Sequence, residues 1–409
     1  MTESDRVEKE NAQAFKDWMQ GWVESGAIPG FTVGIFDENN EEIFSHCCSH
    51  EDKYRNDSLF RIYSMTKPIT SVGILMLMER GLLSLEDEVA KFIPSFSQIQ
   101  VIVGGSVEAI VTEPLSRPLK IIHLLTHTSG ISYGIFGQSL PDKVLVANLG
   151  ADILNFMAFT PLEELCERIA KSHLAFQPGT QFQYGFNTDV LGRIIEVVSG
   201  LDLEEFLQRE ILRPLGMSDT TFRVPEEKLH RLAEIYDPAQ GLGLKLNRSP
   251  EVDRSSKRVF LSGGAGLVSS LADYAKFANL LLQKGKVVRD GAVVCQLLRP
   301  ETVDLMIANH LPDDGDIFDL GFDKAFLESI HSRGFGFGLG VSVLRDPSKV
   351  KGSALASIGE YGWTGMAGTI FFNDPQRRIS VVLLTQLIRG NEVYPIKQQL
   401  RWFSRHILK

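Results

Sequence analysis

The sequence predicts an α/β (α+β) fold in which one antiparallel sheet, built from both ends of the chain, is flanked by helices and carries an inserted, mainly helical lobe. Three observations predict it. Strand-like segments lie near the N-terminus, others lie near the C-terminus, and mostly helical patterns fill the stretch between them. We expect a single domain over residues 1–409, with an α/β lobe at about 1–80 and 250–409 and a helical lobe at about 81–249.

The strand predictions rest on short apolar segments that are separated by turn-forming residues. Near the N-terminus the turn is 37–40 (DENN), and near the C-terminus it is 373–375 (NDP). Strands joined by such turns pair with each other in an antiparallel sheet. The segments are 31–36 (FTVGIF) with 42–47 at one end, and 363–365 (WTG), 369–372 and 379–385 (ISVVLLT) at the other.

Helices are predicted where apolar residues recur at helical spacing behind a start signal. The first runs over 64–81, where Pro68 has no N–H to lose and suits the first turn. A second begins at 160–163 (TPLE), which has a cap residue, a proline at the first helical position and a glutamate after it. Two more are predicted over 190–198 and 270–282.

The composition excludes several classes of partner. A net charge of −9 and a pI near 5.6 argue against nucleic acid and anionic membranes, so we expect a small-molecule substrate. The N-terminal MTESDRVEKE is charged, and no apolar run approaches a membrane span, so we expect a cytoplasmic protein without an export signal. The four cysteines are too few for a disulfide framework and are expected to be reduced. The oligomeric state stays open.

Ser64 and Lys67 form an S-x-x-K motif (SMTK) at the start of the first predicted helix. Residues at i and i+3 share one helix face, which brings the lysine amine beside the serine hydroxyl. A serine is a poor nucleophile until a nearby base removes its proton, and a lysine whose pKa is lowered can be that base. The amides of a helix N-terminus also suit a developing oxyanion. Ser64 is therefore the candidate nucleophile and Lys67 its candidate base.

Two other serines lie in motifs that are associated with nucleophiles. Ser348 and Lys351 repeat the S-x-x-K spacing, but in a polar turn (RDPSK) that opens no apolar helix. Ser132 lies in a G-x-S-x-G sequence (GISYG), which resembles the nucleophile elbow of α/β-hydrolases. An elbow needs a strand before it and a helix after it, whereas this sequence follows a predicted helix end at 126–127. We expect neither serine to be catalytic.

Two further segments contain candidates for the rest of a serine site. Tyr184 lies in a turn-rich loop, and beside a lysine cation its phenol would ionise more readily and could act as a general base. A packed, structural tyrosine is the alternative. The segment 363–365 (WTG) is strand-like and rich in glycine, so its backbone can approach a ligand and donate an N–H to it.

Other motifs are expected to be structural. The glycine-rich segments 263–266 (GGAG) and 334–340 (GFGFGLG) lack the spacing of phosphate-binding loops. The segment 46–50 (HCCSH) would put two histidines and a cysteine on one face of a strand, but no second ligand pair accompanies it. We therefore expect neither a metal nor a cofactor.

The order of these segments resembles the class C β-lactamase and penicillin-binding serine hydrolase superfamily over most of the chain. Tryptophan in the W-x-G position, and Asp189 ahead of 190–192 (VLG), are most similar to family VIII carboxylesterases. The resemblance implies a β-lactamase-like fold with Ser64 as nucleophile, Lys67 and Tyr184 as its base system, and the backbone amides of Ser64 and Met366 as the oxyanion hole. The matching segments are 64–67, 124–130 (LLTHTSG), 178–184 (PGTQFQY), 190–192, 263–267 (GGAGL), 363–365 and 368–369.

Two departures from the β-lactamase pattern bear on the substrate. Phe186 stands where a Y-x-N motif has asparagine, with Asn187 one residue later, and Trp363 replaces the lysine that would attract a β-lactam carboxylate. With Gly365, these residues are the candidate substrate contacts. Both departures favour neutral acyl esters, so we expect a serine hydrolase that cleaves carboxylic esters through an acyl-enzyme on Ser64. A β-lactamase, a D-alanyl-D-alanine peptidase, an acyltransferase and a non-catalytic binding protein of the same fold are the alternatives.

Overall fold

A seven-stranded antiparallel sheet forms the centre of the α/β part of the molecule. The computed structural model describes residues 7–134, 137–150, 159–240, 243–249, 253–255, 258–289, 291–329, 333–350, 356–390 and 394–408. Its sheet strands are β1 (Gly30–Asp37), β2 (Glu42–Ser49), β11 (Phe335–Phe337), β12 (Ser342–Leu344), β13 (Tyr361–Thr364), β14 (Ile370–Asp374) and β15 (Ile379–Leu384). The remaining strands form two-stranded pairs: β3 (Phe60–Arg61) with β8 (Val268–Ser269), β4 (Val101–Gly105) with β5 (Ile110–Glu113), β6 (Tyr236–Pro238) with β7 (Leu244–Leu246), and β9 (Lys286–Arg289) with β10 (Ala292–Gln296).

The strand order joins the two ends of the chain, as the sequence predicts. It reads β11-β12-β13-β14-β15-β1-β2, so the N-terminal hairpin pairs with the last strand. In that pairing Val33 lies opposite Leu383. The predicted fold class, an α/β fold with an antiparallel sheet from both chain ends, is therefore confirmed.

Helices cover the sheet and are the main regular elements of the inserted segment. The helix from Thr66 begins directly after a 3₁₀ turn at Tyr63–Met65, and Pro68 lies in its first turn. The helices are α1 (Lys9–Glu24), α2 (Thr66–Glu79), α3 (Ile121–Leu125), α4 (Leu140–Leu149), α5 (Leu162–Ser172), α6 (Asn187–Ser199), α7 (Leu203–Leu207), α8 (Arg213–Leu215), α9 (Leu271–Leu282), α10 (Pro300–Ile307), α11 (Ile317–Leu320), α12 (Lys324–Ser329) and α13 (Ile396–His406). No helix in the described ranges is long and apolar enough to cross a bilayer.

Two helix starts differ in how well the sequence predicts them. Ser270 caps α9 as expected, because its hydroxyl accepts from the amide of Asp273 at 3.3 Å. The expected cap at Thr160 is wrong by one residue. Pro161 is the extended residue before α5, and no side chain caps that helix. Because Pro161 itself adopts extended backbone, with a ψ of 158°, the helix begins only at Leu162.

Both faces of the sheet are buried, which explains why its central strands are apolar throughout. Successive strand residues point to opposite faces. In β15, Val381 and Leu383 belong to one apolar cluster, together with residues of α1 and α13, whereas Val382 and Leu384 belong to the other, which contains α2 and α9. The sheet is therefore a middle layer between helices, and the second cluster continues into the inserted segment.

A cluster of four buried charges attaches α13 to the sheet. Glu360, immediately before β13, accepts from Arg401 at 2.7 Å and from Arg405. The Arg405 Nε atom lies 3.5 Å from the Asp374 carboxylate at the end of β14. We call Glu360, Asp374, Arg401 and Arg405 the buried charge cluster. Burial raises the pKa of Glu360, but the two guanidinium groups outweigh it and hold that pKa below its usual value.

The lobe boundaries at about 80 and 250 stay a prediction. The regular structure of residues 81–249 is mainly helical where they are described, yet they also contain the β4–β5 and β6–β7 hairpins. The seven strands of the central sheet all come from 30–49 and 335–384.

Candidate active site

Ser64 lies in the 3₁₀ turn that leads into α2, and the residue before it has a strained backbone. Tyr63 has a φ of 44°, in the left-handed region that non-glycine residues rarely adopt. Such strain persists only where the surrounding structure holds it. Here the Tyr63 side chain packs with Ala367 and Met366, which follow β13. The turn that presents Ser64 is therefore fixed against the strand that carries the W-x-G sequence.

The Lys67 ammonium is fully buried and lies among three oxygen atoms. Its Nζ donates to the Ser64 hydroxyl at 3.2 Å, to the Tyr133 hydroxyl at 2.8 Å and to the Gly264 carbonyl at 2.9 Å. The contact that the i, i+3 spacing predicts is present. All three acceptors are uncharged, so a buried lysine is held here without a directly bonded carboxylate. That arrangement is unusual for structure alone and is typical of functional sites.

Tyr133 is the site residue that the sequence analysis missed. It belongs to the G-x-S-x-G sequence (GISYG) whose serine, Ser132, is a competing candidate nucleophile. Its hydroxyl accepts from Lys67, and its ring is 5.3 Å from the ring of Tyr184. Burial raises the pKa of the Tyr133 phenol well above its usual value, and Tyr184 and Asp189 raise it further. Tyr133 is therefore held as a neutral phenol at physiological pH.

Tyr184 and Trp363 form one wall of the site. The Lys67 Nζ atom lies 4.6 Å from the centre of the Tyr184 ring, within range of a cation–π interaction. The Trp363 indole N–H donates to the Tyr184 hydroxyl at 3.2 Å. The two residues that the sequence analysis took from distant segments are therefore in contact, beside the predicted nucleophile. The role of Tyr184 as general base stays a prediction.

The His127 imidazole packs against the Tyr184 ring. The two rings are 4.9 Å apart, and the imidazole is fully buried. Burial holds the pKa of His127 well below its usual range, and the charge of Lys67 lowers it further. The Asn187 amide lies 2.8 Å from His127 Nδ1, and a neutral imidazole nitrogen accepts there when the amide NH₂ faces it. His127 is thus an uncharged packing residue.

The structure places two of the predicted substrate contacts below the site surface. Phe186 is buried and meets Tyr133 edge to face, with ring centres 4.6 Å apart. Asn187 is fully buried, and its side chain bonds His127, Ser129 and the Ile131 carbonyl. These two residues hold the loops that carry the site residues. Direct contact of these two residues with substrate stays a prediction. Their burial argues against it.

The two amides of the predicted oxyanion hole lie on neighbouring segments. Ser64 is in the 3₁₀ turn and Met366 follows β13, and the Ile62 carbonyl between them accepts from the Thr369 hydroxyl at 3.2 Å. Their assignment as the oxyanion hole stays a prediction.

Replacing Gly365 with alanine should lower kcat/KM by about a hundredfold, since displacements of about 1 Å in an active site have effects of that size. A Cβ at this position would overlap the Ile62 carbonyl and the Thr369 hydroxyl, and so move the segment before Ser64. Steady-state kinetics on an activated ester measures the effect. Gly21→Ala is the matched control, because a Cβ there meets nothing within 4 Å and lies in a helix. Equal kinetics for the two variants would contradict the proposed close approach.

The described hydrogen bonds of Lys67 go to neither competing serine, and both serines have structural partners. Ser132 is buried, donates to the Asp142 carboxylate and accepts from the Gly134 amide at 2.8 Å. Ser348 is in an exposed turn and donates to Asp346 at 2.6 Å, while its motif partner Lys351 lies outside the described residues. The structure agrees with the expectation that the GISYG sequence is not a nucleophile elbow. The element directly before it is the helix α3 and not a strand.

Ser132→Ala is expected to leave ester hydrolysis largely intact and to destabilise the fold. The substitution leaves the buried Asp142 carboxylate without one of its donors, which costs about 1–3 kcal/mol. Urea denaturation and steady-state kinetics on the same preparation separate the two effects. Loss of activity in a variant that is still folded would return Ser132 to the list of nucleophiles.

The HCCSH sequence forms part of a strand. His46 and Cys48 lie in β2, which pairs with β1. Within the described ranges, no group of three or more His, Cys, Asp or Glu side chains is arranged to hold a metal ion. The strand interpretation of this segment is confirmed.

Comparisons with known proteins agree with this geometry. The Beta-lactamase family model matches residues 12–402. Esterase EstB of Burkholderia gladioli is 31% identical over 85% of this chain and 82% of its own length. Acyltransferase mokF of Monascus pilosus is 31% identical over 74% of this chain and 71% of its own. The fold is also that of EstCE1, described as a hydrolase with promiscuous acyltransferase activity, with a TM-score of 0.77, 24% identity and coverage of 97% and 98%.

The family match spans nearly the whole described chain and includes every segment around Ser64, while two relatives match more than two thirds of the sequence at over 30% identity. The chain therefore belongs to the Beta-lactamase family.

Proposed function

We propose that this hydrolase is a carboxylesterase that forms an acyl-enzyme on Ser64. The observation that carries the proposal is the buried Lys67 ammonium, which contacts the Ser64 hydroxyl at 3.2 Å and faces the Tyr184 ring. A buried amine against a serine, at a helix start, is an arrangement that activates a nucleophile. The substrate is a small-molecule acyl ester. The reaction requires no cofactor, since the nucleophile, the base and the oxyanion donors all come from the chain.

The acylation step uses these groups in order. The base system of Lys67 and Tyr184 first loses one proton to solvent, and the Ser64 oxygen then attacks the ester carbonyl carbon while its own proton passes to that base system. The negative charge that develops on the carbonyl oxygen is stabilised by the amides of Ser64 and Met366. Collapse of the tetrahedral intermediate breaks the ester C–O bond, and the leaving alkoxide takes the proton from the base system. Water then attacks the acyl-enzyme by the same route and releases the carboxylic acid.

The two phenols beside Lys67 have different roles in this mechanism. The raised pKa of Tyr133 keeps it neutral, so it accepts from Lys67 and positions the amine. Tyr184, whose ring faces the ammonium, is the candidate proton carrier.

Tyr184→Phe should therefore lower kcat by about 10²–10⁴-fold, the usual contribution of a general base. Tyr133→Phe removes one acceptor of the ammonium and should cost only about tenfold, the equivalent of one hydrogen bond. Each variant loses a single oxygen and retains its ring, so the pair is matched in size. Steady-state kcat values with p-nitrophenyl acetate decide between them. A larger loss in Tyr133→Phe would reverse the two assignments.

The wall of the site favours neutral acyl groups over anionic β-lactams. Trp363 brings an indole to the position where a lysine would attract a carboxylate, and its ring meets Phe337 edge to face at 5.2 Å. Tyr184 extends this aromatic wall, with its ring centre 5.5 Å from that of Trp363. The similarity to EstB, which is named as an esterase, supports the same substrate class.

Covalent labelling tests the proposal. A fluorophosphonate probe should add one adduct to the protein by intact mass, and Ser64→Ala should lose it. The same two proteins are then compared on p-nitrophenyl acetate, p-nitrophenyl butyrate and nitrocefin. Turnover of the esters above nitrocefin supports an esterase, while the reverse order supports a β-lactamase. An adduct that persists in Ser64→Ala, or no turnover of any ester or amide, would overturn the proposal.

Acyl transfer to an alcohol is the second candidate, favoured by the similarity to mokF, which is named as an acyltransferase. The acyl-enzyme is common to both reactions, and only the acceptor differs. Product analysis with added alcohols or amines distinguishes them, because a transferase forms the new ester or amide faster than free acid. A D-alanyl-D-alanine peptidase would instead release D-alanine from a dipeptide-terminated substrate.

A further inference from the structure

We propose that Asp189 is a positioning residue for the Lys67 ammonium, acting through Gly264. Its buried carboxylate holds the residue whose carbonyl accepts from Lys67, and it supplies the negative charge that balances that ammonium. The inference rests on the proposed function, since it concerns the base system of the same site.

The Asp189 side chain is fully buried near the start of α6 and is only partly satisfied. Its Oδ1 atom accepts from the Ser262 hydroxyl at 2.5 Å and from the Gly264 amide at 3.3 Å. Its Oδ2 atom has no hydrogen-bond partner among the described residues. A buried carboxylate in this condition is costly unless a nearby positive charge compensates it. The nearest compensating charge lies across Gly264.

Gly264 links the two charges. Its N–H donates to Asp189 and its carbonyl accepts from Lys67 at 2.9 Å. A Cβ on Gly264 would lie 2.6 Å from Asp189 Oδ2 and 3.2 Å from the Tyr133 hydroxyl. The unpartnered oxygen and the phenol therefore border the same small space, and no side chain at residue 264 separates them. Glycine at this position is what lets the carboxylate act on the lysine and the phenol at short range.

Three other titratable groups near this space, Tyr133, His127 and Cys166, are neutral. Asp189 is therefore its source of negative charge in the described structure. Tyr133 is held as a neutral phenol, because burial, Tyr184 and Asp189 all raise its pKa. His127 is neutral for the reason given above. Cys166 is a neutral thiol, because burial raises its pKa and Asp189 raises it further. Burial raises the pKa of Asp189 itself, while Lys67, Ser262 and Gly264 oppose that rise.

A carboxylate at this position favours the protonated forms of the groups around it. A negative charge close to a lysine stabilises the ammonium form, and a negative charge close to a phenol disfavours ionisation to the phenolate. Removal of the Asp189 charge therefore lets the base system lose its proton at lower pH. It also makes that base weaker, so the maximum rate falls.

The pH profile of kcat/KM for p-nitrophenyl acetate tests the inference with Asp189→Asn, which keeps the shape and removes the charge. The acid limb should move to lower pH by about one unit or more, the effect expected of one close charge, and kcat on the plateau should fall. Asp189→Glu restores the charge and should return the limb toward the wild-type position. The matched control is Asp142→Asn, another buried carboxylate that bonds Ser132 and does not face Lys67. It should lower stability without moving the limb.

Gly264→Ala tests the same contact if Asp189→Asn does not fold. Its Cβ displaces Oδ2, so the limb should move in the same direction by a smaller amount. An unmoved limb in a folded Asp189 or Gly264 variant, or an equal shift in Asp142→Asn, would overturn the inference. Labelling of the wild-type protein distinguishes a failure of this inference from a failure of the proposed function. If fluorophosphonate fails to label its Ser64 the function is wrong, whereas a labelled, active wild type with an unmoved variant limb refutes only the role of Asp189.

Discussion

Lys67→Met is expected to lower kcat/KM for p-nitrophenyl acetate by about a thousandfold, within the range that a positioned proton-transfer group contributes. The substitution keeps the length of the side chain and removes the amine that contacts Ser64 at 3.2 Å. The same variant should melt below the wild type, because loss of the ammonium leaves the buried Asp189 carboxylate without its compensating charge.

Parallel kinetics and thermal unfolding measure the two halves of this prediction. Lys91→Met is the control, since that lysine forms an exposed pair with Asp87 at 2.8 Å and lies outside the site. It should change neither quantity appreciably. A Lys67→Met protein that keeps a tenth of the activity would contradict the assignment of Lys67 to the base system, and one that melts no lower than the wild type would contradict its charge balance with Asp189.

Glu360→Gln is expected to destabilise the protein by about 3–5 kcal/mol, the usual cost of leaving buried charges without their partner. Glu360 receives hydrogen bonds from Arg401 and Arg405, and all three side chains are buried. The amide removes the negative charge but not the two guanidinium groups. Urea denaturation measures the loss. Glu328→Gln is the control, because its ion pair with Arg333 is exposed, and it should cost less than about 1 kcal/mol.

The pH dependence of that loss has a defined sign. The folded-state pKa of Glu360 is held below its usual value of 4.5. Its contribution is therefore fully present above pH 4.5 and is lost as the pH falls through the lower, folded-state pKa. The difference in stability between wild type and Glu360→Gln should narrow in acid. A difference that grows as the pH falls would show that the glutamate is not the ionised partner of these arginines.

Local patterns were enough to predict the sheet and the first pair of the site. The hairpins of β1–β2 and β14–β15 follow from turn residues between apolar segments, and a turn is a local feature. The contact of Lys67 with Ser64 follows from helix geometry over i and i+3. These predictions needed no knowledge of how distant segments pack.

Sequence reasoning missed Tyr133 and noted Asp189 only as part of a family resemblance, because tertiary packing alone brings both residues close to Lys67. Tyr133 is 66 positions from the lysine, in a loop whose sequence pattern resembles a different type of active site. Asp189 acts through the Gly264 amide, 75 positions away, and neither spacing carries a motif. Local patterns raised Tyr184 and the 363–365 segment as candidates and the family resemblance gave them roles, but neither showed which phenol the ammonium would bond.

The pairing of β1 with β15 has a consequence for how the chain is made. Strand β1 leaves the ribosome early, but its central neighbour is complete only when residue 384 has been synthesised. At about 5–20 residues per second, the N-terminal hairpin waits for on the order of tens of seconds with an apolar edge unpaired. A chaperone that binds nascent chains should therefore engage the β1–β2 hairpin during that interval, and translation that stalls before residue 384 should leave the hairpin sensitive to protease.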